Sequence, residues 1–92
     1  MIRAVMLFRS GGRVPKAVGL AEQLKALGFV TDAYAIFGRF DIVAFLEGRD
    51  VRELFKSISE ATELEGILSS ETLMEVVANE VQQEYGKGPF SS

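Results

Sequence analysis

The groups that could do chemistry in this chain are few, and most of them meet in one stretch. Tyr34-Ala35-Ile36-Phe37-Gly38-Arg39-Phe40-Asp41 sets a phenol, a guanidinium and a carboxylate around a glycine inside an otherwise apolar run. Asp41 is the sharpest of them. An acidic residue opening the run Ile42-Val43-Ala44-Phe45 is disfavoured in a strand and needs a partner or solvent for its charge. Arg39 is either a solvated turn residue or one half of an ion pair across a subunit boundary. Histidine and cysteine are both absent, which removes the most versatile acid/base group, the thiolate nucleophile and the usual transition-metal ligands. Carboxylates, Lys, Ser, Thr and Tyr remain, and they form no recognisable nucleophile or acid/base motif. The chemistry open to such a set is binding, and catalysis is not expected.

Composition narrows the field further. The 92 residues make one domain, close to the size below which a monomer struggles to bury enough apolar surface, so an oligomer is expected. With 48% hydrophobic and 25% charged residues the chain reads as globular, without disorder. A net charge of -3 and the lack of any basic run argue against direct contact with nucleic acid. The apolar stretch after Met1 is broken at Arg3 and ends at Arg9, too short to span a bilayer and without a signal-peptide pattern. A cytoplasmic location with no membrane partner is therefore expected. Glu60, Glu63 and Glu65 read as a solvated helix face and not as a metal site, and no cofactor is expected.

The elements that must position the cluster follow from periodicity. Ile2 to Phe8 is apolar on both faces, the mark of a central strand. Ser10-Gly11-Gly12-Arg13 supplies a turn, and Pro15 suits the first helical position. Ala17, Leu20, Ala21, Leu24 and Leu27 then recur at helical steps, and Gly28 matches the left-handed residue that ends many helices. Phe29 to Phe37 and Phe40 to Leu46 read as a hairpin closed by a two-residue Gly38-Arg39 turn of type II′. Asp50, with Glu53 three residues on, gives a capping box, and Val51, Leu54, Phe55, Ile58 and Ala61 a buried helical stripe. Residues 67–77 read as a last strand.

The order strand, helix, strand, strand, helix, strand is the ferredoxin-like βαββαβ pattern, an α+β fold. It predicts a four-stranded antiparallel sheet with strands one and three central and both helices on one face. Val5 and Leu7 cannot point at helices as well, so dimerisation through the sheet is expected to cover the bare face. Residues 1–78 are assigned to this domain. Residues 79–92, with Val81 and Tyr85 as anchors, are assigned to a C-terminal extension.

With the fold order in place, two stretches resemble a known family. Asp32-Ala33-Tyr34 through Gly38-Arg39-Phe40-Asp41-Ile42-Val43 is similar to the Tyr-x-x-x-Gly-x-Tyr/Phe-Asp signature of the Lrp/AsnC ligand-binding module, also called the RAM domain. Glu65-Gly66-Ile67, followed by Ser70-Glu71-Thr72, is similar to that module's Gly-Val, Thr-x-Thr segment. The likeness runs from Ile2 to Val77; Phe37 stands where the family often has Thr, and Ser70 takes the first of the late hydroxyl positions.

The resemblance implies a non-catalytic module that binds an amino acid or similar small effector. It also implies homodimers that assemble into a higher oligomer, with full-length Lrp/AsnC regulators as further partners. Because Met1 leads directly into the first strand, a stand-alone form without a helix-turn-helix domain is expected. The ligand-binding residues implied are Tyr34, Gly38, Arg39, Phe40, Asp41, Ser70 and Thr72, around a crevice between dimers. Asp41 would take an ammonium group and backbone amides near Gly38 and Arg39 a carboxylate. Tyr34 and Phe40 would take an apolar side chain, and Ser70 and Thr72 would add hydroxyls. The plainer alternative is that Gly38 serves a turn needing positive φ and that Tyr34 and Phe40 are cross-strand partners. Small dimeric α+β barrel enzymes, such as cofactorless monooxygenases and isomerases, share this fold order; in that alternative Asp41 and Tyr34 would form the acid/base pair.

Overall fold

Alternation along the first strand decides the layers. Ala4, Met6 and Phe8 of β1 (Ile2–Arg9) are buried, while Arg3, Val5, Leu7 and Arg9 fall on the opposite side. The computed structural model describes residues 1–75, and the remaining elements are α1 (Val14–Lys25), β2 (Val30–Ala35), β3 (Ile42–Gly48), α2 (Val51–Thr62) and β4 (Ser69–Met74). The sheet runs β2-β3-β1-β4 and is antiparallel throughout. The two most apolar strands are thus the central ones, and the fold is the ferredoxin-like α+β arrangement. Ala17, Leu20, Ala21 and Leu24 of α1, with Leu54 and Ala61 of α2, join Ala4, Met6, Phe8, Ile42, Ala44 and Leu46 in a single core on one face.

The capping box before α2 forms: Asp50 accepts from the Glu53 amide at 2.8 Å, and the Glu53 carboxylate reaches back to the Arg49 amide at 3.0 Å. Five local expectations need correction. The hairpin turn is not a two-residue type II′ turn. Strand pairing stops at Ala35 and Ile42, the Ile36 amide donates to the Asp41 carbonyl at 2.8 Å, and residues 37–40 project beyond it. The loop is longer because Asp41 is already engaged: its amide donates to the Phe8 carbonyl at 2.8 Å, tying it to β1. Gly38 does have positive φ, at +135°.

Gly28 is not the left-handed cap. α1 ends three residues earlier at Lys25, and its end peels off through right-handed turns, with the Leu27 amide donating to Leu24 and the Val30 amide to Leu27. Positive φ occurs instead at Gly11, Gly38 and Gly66. Pro15 is the second helical residue, after Val14, with Arg13 as N-cap.

In α2 the buried stripe is Leu54, Ser57 and Ala61 with Ile58 half-buried, whereas Val51 and Phe55 are exposed. The helix sits close to β3, where a Cβ on Gly48 would come within 2.9 Å of the Leu54 amide nitrogen. Small residues at 57 and 61 permit that approach, and Phe55, one helical step to the side, stays in solvent. The last strand spans Ser69–Met74 rather than starting at Ile67. Val76, Val77 and the proposed extension 79–92, with Val81 and Tyr85, lie outside the described residues.

Candidate functional site

Three strands' ends hold the loop between β2 and β3. The Arg9 Nε donates to the Arg39 carbonyl at 2.8 Å, the Phe8 carbonyl takes the Asp41 amide, and the Asp41 carboxylate turns toward the corner that follows β1. There its Oδ2 accepts from the Ser10 amide at 2.8 Å and from the Gly11 amide and Ser10 hydroxyl at 3.4 Å. Gly11 has φ +62°, a conformation that aims consecutive amides at one anion. These donors hold the Asp41 carboxyl below its ordinary value, the Ser10 amide contributing most, against a smaller opposing effect of burial. Ser10 itself is only 1% exposed, so its amide depends on this acceptor. Among the described residues the second oxygen, Oδ1, makes no hydrogen bond.

The pinned loop leaves a cleft on either side. One, of about 270 Å³, lies between the loop and the start of α1 and is lined by Val14, Ala17, Ile36, Phe37, Gly38 and Asp41, with Gly12 and Arg13 at its edge. The N-cap Arg13 makes no side-chain cap and the first turn carries no acidic residue, so the positive end of the helix is unopposed here. The other, of about 280 Å³, is lined by Arg9, Gly11, Gly38, Arg39, Asp41 and Leu68. Gly38 and Asp41 border both. Phe37, 91% exposed, stands at the mouth of the first.

The sequence-derived residues separate into three places. Gly38, Arg39 and Asp41 come together at the loop. Phe40 is half-buried and lines neither cleft. Tyr34 belongs to the open face of the sheet, where its ring centroid lies 6.0 Å from that of Phe45 and both border a basin of about 710 Å³. Ser70 and Thr72 pair with Phe8 and Met6, on edge strand β4 beyond β1, and reach neither cleft within one subunit.

Sequence reasoning missed Arg9, Ser10, Gly11, Val14, Ile36 and Leu68, and met Phe37 only as a departure from the family pattern. Two signals pointed to them: the Gly-Gly pair after β1, read only as a flexible turn, and the apolar Phe37 beside a turn glycine.

The open face carries Val5, Leu7, Val43, Phe45 and Leu73 beside Tyr34, edged by the Arg3–Glu75 ion pair. Among the described residues no group of three or more acidic side chains is placed to hold a metal ion, and no helix is long and apolar enough to cross a membrane.

No protein-family model and no curated protein matches the chain. Solved structures do. The protein TTHA0845 from Thermus thermophilus is 33% identical, the match covering 85% of this chain and 96% of that one with a TM-score of 0.72. AsnC from E. coli is 21% identical over 83% of this chain and 51% of its own, with a TM-score of 0.71. The transcriptional regulator NMB0573 from Neisseria meningitidis, solved as a complex with L-Met, is 10% identical over 84% and 51%, with a TM-score of 0.67. At these identities the two regulators speak for the fold, and the chain spans about half the length of each.

Proposed function

The chain belongs to one family with TTHA0845, and we propose that it is an Lrp/AsnC-type ligand-binding (RAM) module that binds a small amino-acid effector without catalysing its conversion. The cleft between the loop and the start of α1 carries this reading. A carboxylate kept ionised, an unopposed helix start and the apolar walls Ile36, Phe37 and Val14 meet in about 270 Å³. An α-amino acid presents an ammonium group, a carboxylate and a side chain, and each finds a complement there. The free oxygen of Asp41 takes the ammonium, the start of α1 the carboxylate, and the apolar wall the side chain. That a regulator of the same fold was solved with L-Met adds support.

The open sheet face belongs to the same proposal. Its apolar side chains fit face-to-face packing with a second copy, and dimers so formed assemble further and engage full-length regulators. The enzyme alternative has less support, since the Tyr34 and Asp41 that it needs as a pair line different cavities.

A thermal-shift screen of the twenty amino acids tests the binding claim. A ligand at a hundred times its dissociation constant adds about 2.7 kcal/mol of stability, equivalent to roughly 10–20 °C for a domain of this size. No response to any amino acid at millimolar concentration would remove the claim.

A further inference from the structure

Of the two clefts beside the loop, the one on the Arg9 side has no part in the binding mode above. Arg9 and Arg39 both line it. Arg9 is oriented by its own bond, Nε to the Arg39 carbonyl at 2.8 Å, which leaves its two terminal nitrogens for another acceptor. The ion pairs among the described residues are Arg3–Glu75, Lys25–Glu22 and Arg49–Glu53, and no carboxylate of the described residues lies within 4.0 Å of the Arg9 or Arg39 guanidinium.

Asp41 borders the cleft too, but its Oδ2 is occupied by the Ser10 and Gly11 amides. Two guanidinium groups therefore face one carboxylate that is already partly satisfied. A guanidinium with both terminal nitrogens available is the side chain best matched to a planar carboxylate.

We propose that the Arg9–Arg39 cleft is a carboxylate subsite, and that the effector is an amino acid with an acidic side chain. This rests on the amino-acid reading above and names the class of ligand. The ligand lies across Gly38, which borders both clefts and offers no side chain to block the passage: a Cβ there would meet nothing within 4 Å, so the space over the loop is open. Its α-ammonium group meets Asp41 in the first cleft, and its side-chain carboxylate reaches the guanidinium pair in the second.

Isothermal titration of the full chain tests this with aspartate, glutamate, asparagine, glutamine, glutarate and inorganic phosphate, on the wild type and on Arg39→Gln. Arg39 is an exposed loop residue, so its substitution leaves the fold intact, which thermal denaturation checks. The expected result is that aspartate or glutamate binds at least about tenfold tighter than its amide, 1.4 kcal/mol. Arg39→Gln should abolish that preference, the acid losing at least about tenfold more affinity than its amide. Raising salt should weaken the acidic ligand more than the amide.

Equal binding of acid and amide, or a preference that survives Arg39→Gln, would overturn the subsite while leaving the amino-acid reading in place. Glutarate binding as tightly as glutamate would instead overturn the amino-acid identity of the ligand, because no ammonium group would then be needed at Asp41. Phosphate binding that depends on Arg39, with no response to either acidic amino acid, would replace the proposed ligand by a free anion. Silence from all six compounds, in a protein that responds to some other amino acid, would refute the acidic class alone. Silence from every amino acid would refute the underlying reading as well.

Discussion

Replacing Asp41 separates its structural part from its binding part, and the size of the first can be worked from the corner it holds. Its Oδ2 accepts the Ser10 amide at 2.8 Å, and Ser10 is buried. In Asp41→Ala that amide loses its acceptor where water cannot readily replace it, which costs about 1–3 kcal/mol. The 3.4 Å contacts from Gly11 and the Ser10 hydroxyl are too long to add much. About 2 kcal/mol is the expected loss, or roughly 8–16 °C in Tm. Asp41→Asn keeps an oxygen acceptor but loses its charge, and neutral bonds are worth roughly half as much, so about 1 kcal/mol is expected.

The pH dependence supplies a second reading of the same contact. The native carboxyl sits below its ordinary value, mainly because the Ser10 amide favours the charged form. Its contribution is therefore complete above the unfolded value, about 3.9, and is lost as pH falls through the native value. The gap between wild type and Asp41→Asn should be constant from pH 7 to about 5 and close in acid. Urea denaturation at several pH values measures both, with an unchanged m-value showing that the unfolding reaction is the same. Asp41→Ala within 0.5 kcal/mol of wild type, or a gap that stays open in acid, would refute the clamp.

Other consequences follow from neighbouring features. Gly38→Ala should cost about 1–3 kcal/mol, since φ of +135° is strained for any residue with a Cβ even in open space. Gly28→Ala, at ordinary φ and with nothing nearby, should be neutral or stabilise by up to about 1 kcal/mol; both are read from urea midpoints. Asp50→Ala removes the acceptor for the Glu53 amide and should lower stability by about 1 kcal/mol, with reduced helical circular dichroism on heating. Leu73→Glu, on the open face and already exposed, should leave the fold intact while shifting light-scattering mass from an oligomer to a monomer. A wild type that is monomeric at micromolar concentration would dispose of the sheet-to-sheet dimer.

Much of the fold was legible because its signals are local and repeat. Alternation and apolar continuity marked β1 and β3 as central, the three- and four-residue steps of Ala17, Leu20, Ala21 and Leu24 marked α1, and Asp50 with Glu53 marked the start of α2. What escaped depended on contacts distant in sequence. A Gly-X pair between two apolar runs looks like a tight hairpin, and only the Phe8 and Ser10 partners of Asp41, some thirty residues away, lengthen that loop. The exposure of Phe55 likewise reflects how closely α2 approaches Gly48, which helical periodicity does not encode.

The candidate site was half legible for the same reason. Asp41 stood out as a charge needing a partner, and Gly38 and Arg39 came with it. Arg9, Ser10 and the start of α1 complete the site from the far end of β1, and no spacing along the chain announces that meeting.

The most direct test of the binding claim is an amide NMR titration of the chain with the amino acids that respond in the thermal screen. Saturable shifts should concentrate on residues 36–41 and on the Ser10 to Val14 corner, with Gly11 and Gly38 among the largest. Shifts confined to Tyr34, Phe45 and Leu73 on the open face, or no saturable shift at all, would contradict it.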